Sequence, residues 1–257
     1  MYRRTLLLAA ASGAAANPVR AQGLAPVRVV GPGGPGPAMT AAAAVFSAAT
    51  SIPVEVMAGP TPAWAGRVAA EADIIFSGAE YMMDDFMTQF REILDAGTRT
   101  TLYLRPVALL VRKGNPRRIA GLGDLLSRPP SEARVLATGG AGQAALWEDV
   151  AGRTGDLALL RAMRQRIVLV APNTGAAQQE WRSKPDAYDA WLVWNHWQIA
   201  APEHADLVEI EESFRIWRST GTVLTRRGAA REEARRFAGF LASPEGARVF
   251  HNFGWSG

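Results

Sequence analysis

The sequence predicts an α/β protein of two lobes, each a mainly parallel sheet flanked by helices, joined by two crossing strands. Three observations carry this expectation. Strand, loop and helix signals alternate along residues 27–78. The alternation restarts at "ARVLATGGAGQAALWEDVAGR" (133–153). Two long extended segments, "TLYLRPVALLVRKGNP" (101–116) and "STGTVLTRR" (219–227), separate and follow these blocks. Strands that alternate with helices imply parallel pairing with helices on both faces. The chain has 257 residues, 48% apolar and 20% charged. That suffices for one large domain or two small ones, with the composition of an ordinary globular protein.

In order, "VRVV" (27–30) reads as the first strand, and the alanine-rich residues 38–49 as a helix. "IPVEVMA" (52–58) is a second strand, and "PAWAGRVAA" (62–70) a helix that tolerates Pro62 in its first turn. "ADIIFSG" (72–78) is nearly all apolar, so a third strand is expected to be buried on both faces. Segment 101–116 leaves the first lobe. "GLGDLLS" (121–127) is a short helix. "RIVLVAPNTGAAQQEW" (166–181) repeats the strand, loop, helix plan of 133–153, and "AYDAWLVWNHWQIA" (187–200) is strand then helix. Segment 219–227 is the return crossing. "REEARRFAGFLA" (231–242) is amphipathic, with Ala234, Phe237, Phe240 and Leu241 on one face. Ser243 before Pro244 signals the start of a last helix. Lobe 1 is therefore expected over 22–106 and 220–257, and lobe 2 over 107–219. Ligands of open α/β sheets bind beyond the C-terminal strand ends. Two such lobes set those ends face to face across a cleft that hinge closure can shut on a solute.

Residues 1–21 read as a signal peptide: Arg3 and Arg4 precede the apolar stretch "TLLLAAASGAAA", and cleavage is expected after Ala21. The paired arginines followed by Thr5-Leu6-Leu7 suit a twin-arginine signal, while Tyr2, where a polar residue usually precedes the pair, leaves a Sec signal open. The expected location is the periplasm. Cleavage removes Arg3, Arg4 and Arg20 from 28 Lys and Arg and none of the 24 Asp and Glu, so the net charge falls from +4 to +1. No basic arm remains, so nucleic acid is not an expected partner. No later apolar run is long enough for a membrane span. The absence of cysteine excludes disulfides, thiolate metal sites and thiol nucleophiles.

The loop "GPGGPGP" (31–37) has the G-x-G-x-x-G spacing of a dinucleotide fingerprint. Its chemistry differs. Pro32, Pro35 and Pro37 remove N–H donors, and the next strand ends in Met57-Ala58-Gly59 without the acid that would hold a ribose. What survives is the set of N–H groups of Gly33, Gly34, Gly36 and Ala38 beside a helix N-terminus, where anions are favoured. The alternative is a rigid turn that binds nothing.

Other candidates recur at the same structural place. Thr61 follows the second strand and either caps a helix or donates to a ligand. Ser77 and Gly78 end the third strand, where Ser77 contacts a ligand or caps. "TGGAGQAALW" (138–147) lacks the G-K-[ST] of a P-loop, yet Gly140, Ala141, Gly142 and Gln143 offer backbone donors to an anion. Asn173 and Thr174 precede a helix, where N-capping is the commoner role. Trp194, Asn195 and Trp197 end a strand, as core or as binding wall. Arg105 lies inside the apolar strand "YLRPV". A buried charge needs a partner, either a structural carboxylate or an anionic ligand. Catalytic signals are weak. His196, His204 and His251 lack metal-ligand spacing, no G-x-S-x-G elbow is present, and the adjacent acids Asp84-Asp85 and Glu232-Glu233 do not face each other on helices. No cofactor or metal is expected.

The segments "GPGGPGPAM", "AGPTPAW", "ADIIFSGAEYMM", "LYLRPVALLVRKGNP", "GAGQAALWED", "DAWLVWNHWQ" and "STGTVLT" resemble the accessory colonization factor family of exported solute-binding proteins. That family is similar in turn to the sulfate- and molybdate-type periplasmic binding proteins. The resemblance follows nearly the whole mature chain in order. It implies the type 2 periplasmic binding protein fold, an anion held between two lobes, and delivery to an ABC transporter permease or a chemoreceptor. The matching ligand positions are the loop around Gly33 and Gly34, Thr61, Ser77, and Gly140 to Gln143. The first loop departs from those relatives, with proline and glycine where a serine would donate. Arg105 and the tryptophans suit a carboxylate-bearing organic ligand, although a bidentate arginine recognises carboxylate and sulfate alike. The expectation is a monomeric solute-binding protein for a sulfate- or molybdate-like oxyanion or a small carboxylate. One alternative is an exported enzyme acting on a small organic acid in the same cleft, with Asp73 and Glu80 as its nearby acids. Another is a signalling module whose ligand-closed form docks to a receptor.

Overall fold

The computed structural model describes residues 24–257, and the expected signal segment 1–21 lies outside the described residues. Strands β1 (Val27–Gly31), β2 (Val54–Ala58), β3 (Ile74–Ser77), β4 (Thr100–Val111), β5 (Val135–Thr138), β6 (Ile167–Ala171), β7 (Ala190–Trp194), β8 (Asp206–Glu209) and β9 (Trp217–Leu224) form one continuous sheet in two halves. The first half runs β2-β1-β3-β9-β4, with β1 parallel to β2 and β3, and β9 antiparallel to β3 and β4. The second half runs β6-β5-β7-β4-β8, with β5 parallel to β6 and β7, and β4 antiparallel to β7 and β8. Both halves thus repeat one plan of three parallel strands followed by an antiparallel strand from a crossing segment. β4 belongs to both: residues 100–106 pair with β9, and residues 107–111 with β7 and β8.

The local causes are simple. "IIFS" in β3 is apolar except for Ser77 and buried at every position, as a strand covered on both faces must be. The first helix, Gly36–Thr50, starts before the expected residue 38 because Pro35 already adopts helical φ and ψ as its N-cap. Pro37 follows in the first turn, where a missing N–H costs nothing. Residues 62–70 do not make one helix. They form the short turns Thr61–Trp64, Ala65–Arg67 and Val68–Glu71, interrupted around Gly66, a poor helix former. β8, "DLVE", has only two apolar residues between two acids, too little pattern to be read from sequence. The helices Glu232–Leu241 and Pro244–His251 pack on the first half, where Phe237, Leu241 and Phe250 join Val29, Phe46 and Ile74. Ser243 caps the last helix by accepting the Gly246 N–H at 3.2 Å. No helix among the described residues is long and apolar enough to cross a membrane.

Asp73 immediately precedes β3, at the end remote from the loops that follow the strand. It is fully buried and accepts the Arg28 N–H at 2.9 Å. It also pairs with Arg231 at 2.7 Å and Arg227 at 3.3 Å. Arg231 in turn donates to the carbonyls of Ala25 and Pro26, tying down the chain ahead of β1. Asp73 is a structural acid, which corrects its candidacy as a cleft acid. Asp73→Ala leaves buried or half-buried donors unmatched and is expected to cost about 3–5 kcal/mol of stability, read by urea denaturation. Asp73→Asn, which keeps an acceptor, should lose clearly less.

Candidate functional site between the two half-sheets

β1, β2 and β3 end at Gly31, Ala58 and Ser77, and β5, β6 and β7 end at Thr138, Ala171 and Trp194. The loops leaving these ends converge on one cavity of about 510 Å³. This is the strand-end location that open α/β sheets use for ligands. Pro32 to Pro35, Gly59 to Pro62, Gly78 and Met82 line it from the first half; Gly139, Gly140, Gly142, Gln143, Asn173 to Gly175, Trp194, His196 and Trp197 line it from the second. Arg105 enters from β4, at the place where that strand passes between the halves. No Asp or Glu lines the cavity among the described residues.

Of the residues singled out in the sequence, Gly33, Gly34, Thr61, Gly78, Arg105, Gly140, Gly142, Gln143, Asn173, Thr174 and Trp194 lie in this lining. Ser77 and Asn195 do not. Ser77 is fully buried beside Gly78. Its carbonyl accepts the Thr220 hydroxyl at 2.7 Å, and its own hydroxyl has no partner. Asn195 donates its amide to the Gly254 carbonyl at 2.8 Å, which fixes the C-terminal segment. Ala141 sits in the single turn Ala141–Gln143. Asn173 caps the helix Thr174–Ser183 by accepting the Ala176 N–H at 2.9 Å. Thr61 makes no capping bond, because Pro60 holds the N-cap position. Gly36 spends its N–H on the Gly33 carbonyl at 3.2 Å, so "GPGGPGP" is a tight turn that presents Gly33 and Gly34. Glu80, the other suspected acid, pairs with Arg99 at 2.6 Å and accepts the Thr101 and Ser219 hydroxyls. It is outside the lining.

Arg105 is only 2% exposed. Its guanidinium lies 4.5 Å from the Trp194 ring and 4.6 Å from the Trp255 ring. Nη1 donates to the carbonyls of Arg218 and Ser219 at 3.3 and 3.1 Å, and Nε has no partner. No carboxylate pairs with it among the described residues. Burial lowers its pKa to about 9, which still leaves it charged at neutral pH. Nearby, the Gly78 N–H meets the Met82 thioether at 3.5 Å, a weak contact that an anionic oxygen would displace.

Sequence reasoning misses three members of the site: His196, Trp255 and Met82. His196 is buried with both ring nitrogens unpartnered. Its ring packs at 5.1 Å from Trp197 and 5.6 Å from Trp255. Across the cleft, a Cβ on Gly34 would lie 3.3 Å from its Nε2, so a glycine there keeps room for the ring. Ligand spacing tests a histidine only as a metal ligand, and a neutral donor needs no such spacing. Trp255 lies near the chain end and gives no local signal. Its place under Arg105 follows from contacts far apart in sequence. Among the described residues no group of His, Asp and Glu could hold a metal ion.

Burial, and then the charge of Arg105, hold the His196 imidazole well below its ordinary 6.5, so the folded protein keeps it neutral. Unfolding frees the ring to take up a proton. The unfolded state then binds more protons, and stability is complete above about pH 6.5 and falls as the pH drops below it. The expected slope is up to about 1.4 kcal/mol per pH unit between pH 6.5 and 5. Urea denaturation across that range should show it in the wild type, and His196→Phe should flatten it.

A model of the family described as bacterial extracellular solute-binding protein matches residues 27–256. Peb3 from Campylobacter jejuni is 30% identical, covers 90% of this chain and 99% of its own, and superposes with a TM-score of 0.80. A structure of L-phospholactate-bound PEB3 gives 0.81 at 30% identity, with coverage of 90% and 99%. The substrate-binding domain of a putative molybdenum ABC transporter from Clostridium difficile shares the fold at 16% identity, with a TM-score of 0.69 and coverage of 90% and 97%. That fold is the type 2 periplasmic binding architecture. No curated protein sequence matches the chain. With a family match that spans both half-sheets and every cleft loop, the chain belongs to the bacterial extracellular solute-binding proteins.

Proposed function

We propose that this protein is exported to the periplasm and captures a small organic anion in the cleft between its half-sheets. The ligand's carboxylate or phosphate is set against Arg105. The observation that carries this reading is the buried guanidinium without a carboxylate. A desolvated cation is costly unless a counter-charge arrives, and the cavity lining offers none of its own. L-phospholactate, bound by the 30% identical PEB3, is an anion of this kind. Gly33, Gly34, Gly78, Gly140, Gly142, Thr61 and Thr174 surround the anion with backbone and hydroxyl donors, and Trp194 walls it. Residues 22–106 with 220–257 act as one lobe and 107–219 as the other. They close about the crossing strands β4 and β9, and the closed form passes its solute to an ABC permease or signals to a chemoreceptor. The protein works as a monomer without cofactor and without turnover. Among the described residues that line the cleft, the titratable groups are Arg105 and a neutral His196, which do not make a general acid–base pair.

Thermal shift on ligand-free protein tests this against sulfate, molybdate, phosphate, small carboxylates and phosphorylated acids. A ligand at 100 times its Kd adds about 2.7 kcal/mol to native stability, a shift of several degrees. Arg105→Met should abolish that shift, with affinity down about 100-fold or more, while ligand-free stability stays within about 1 kcal/mol because a desolvated charge goes with it. Wild-type affinity in Arg105→Met would show the anion site to be misplaced. Turnover of a small acid would favour an enzyme.

A further inference from the structure

The donors of the cleft account for an anion, but two of its buried atoms ask for the opposite partner. The Gln143 side-chain carbonyl has no hydrogen-bond partner, and Gln143 lines the cavity while only 5% exposed. His196 also lines it, with neither ring nitrogen partnered. A neutral imidazole carries one N–H and one lone pair, so one of those nitrogens is an acceptor. Burial beside Arg105 keeps the ring neutral. A bare oxyanion such as sulfate or molybdate accepts hydrogen bonds and donates none. It would satisfy Arg105 and leave both acceptors buried and unmet. Unmet buried acceptors weaken a complex, and a site built around a ligand hydroxyl rejects analogues that lack it.

We infer that the solute is a hydroxy acid: its acid group faces Arg105, and its hydroxyl donates to the Gln143 side-chain carbonyl or to the unprotonated ring nitrogen of His196. This rests on the reading of the cleft as an anion site and narrows it. The hydroxyl is the selective element, because every small acid offers a charge to Arg105 and only some offer an O–H.

Calorimetric titration of matched acids tests it, with L-malate against succinate and L-lactate against propionate, and sulfate and molybdate as bare oxyanions. The hydroxylated member of at least one pair should bind the wild type roughly 10- to 100-fold more tightly than its deoxy analogue, and more tightly than either oxyanion. At least one of Gln143→Leu and His196→Phe should level the pair while the deoxy acid still binds. Arg105→Met should weaken both members alike. Equal affinities within both pairs, or tighter binding of sulfate or molybdate, overturn the hydroxy-acid inference and leave the anion site standing. Absence of binding by every acid and oxyanion overturns both. Where a variant fails to fold, the wild-type ratio within each pair decides.

Discussion

The guanidinium of Arg105, packed over the indoles of Trp194 and Trp255 and left without a carboxylate, is the constraint around which the cleft is arranged. Taking a cation out of water costs several kcal/mol. The carbonyls of Arg218 and Ser219 return part of this, and the two aromatic faces return roughly 0.5–2 kcal/mol each. The remainder stays as a standing attraction for an anion. Arg105 stands at the residue pair where β4 stops pairing with β9 and begins to pair with β7 and β8. The charge therefore sits on the crossing itself, with the loops of both half-sheets disposed around it.

The chain end is part of this support. Ser256 bridges to Leu104 through both of its backbone hydrogen bonds, at 2.7 and 2.8 Å. Gly254, at φ +79°, receives the Asn195 amide. A Cβ at Gly254 would lie 2.4 Å from Ile199 and 2.6 Å from Asn195, so glycine is required there twice over, by conformation and by space. These anchors hold Trp255 against both Arg105 and His196. Asn195 thus serves the cleft indirectly, by fixing the tail.

The glycines of "GPGGPGP" have separate tasks unrelated to a dinucleotide. A Cβ on Gly31 would come within 2.5 Å of the Phe76 carbonyl, and one on Gly36 within 2.7 Å of Ala58. These two let β1 sit close to β3 and let the first helix sit close to β2. Gly33 and Gly34 are the pair left for the cleft, and Gly34 makes space for His196. The fingerprint spacing arises from packing and clearance, and the interleaved prolines give the turn its stiffness.

The alternation of strand, glycine loop and helix was legible because it is local. Apolar runs of four or five residues bounded by Gly and Pro dictate strands, and loops at their C-terminal ends dictate where a ligand would sit. That reasoning reached Gly33, Gly34, Gly78, Gly140 and Thr174 without coordinates, and it marked Arg105 as a charge in need of a partner. Whether that partner was a carboxylate of the chain, which way Ser77 and Asn195 point, and the roles of His196 and Trp255 were decided by the tertiary structure alone. Trp255 meets Arg105 across 150 residues of sequence, and Asn195 meets Gly254 across 59. Local periodicity holds no information about contacts of that separation. They exist because two half-sheets share β4 and because the last helix returns the chain end to their junction.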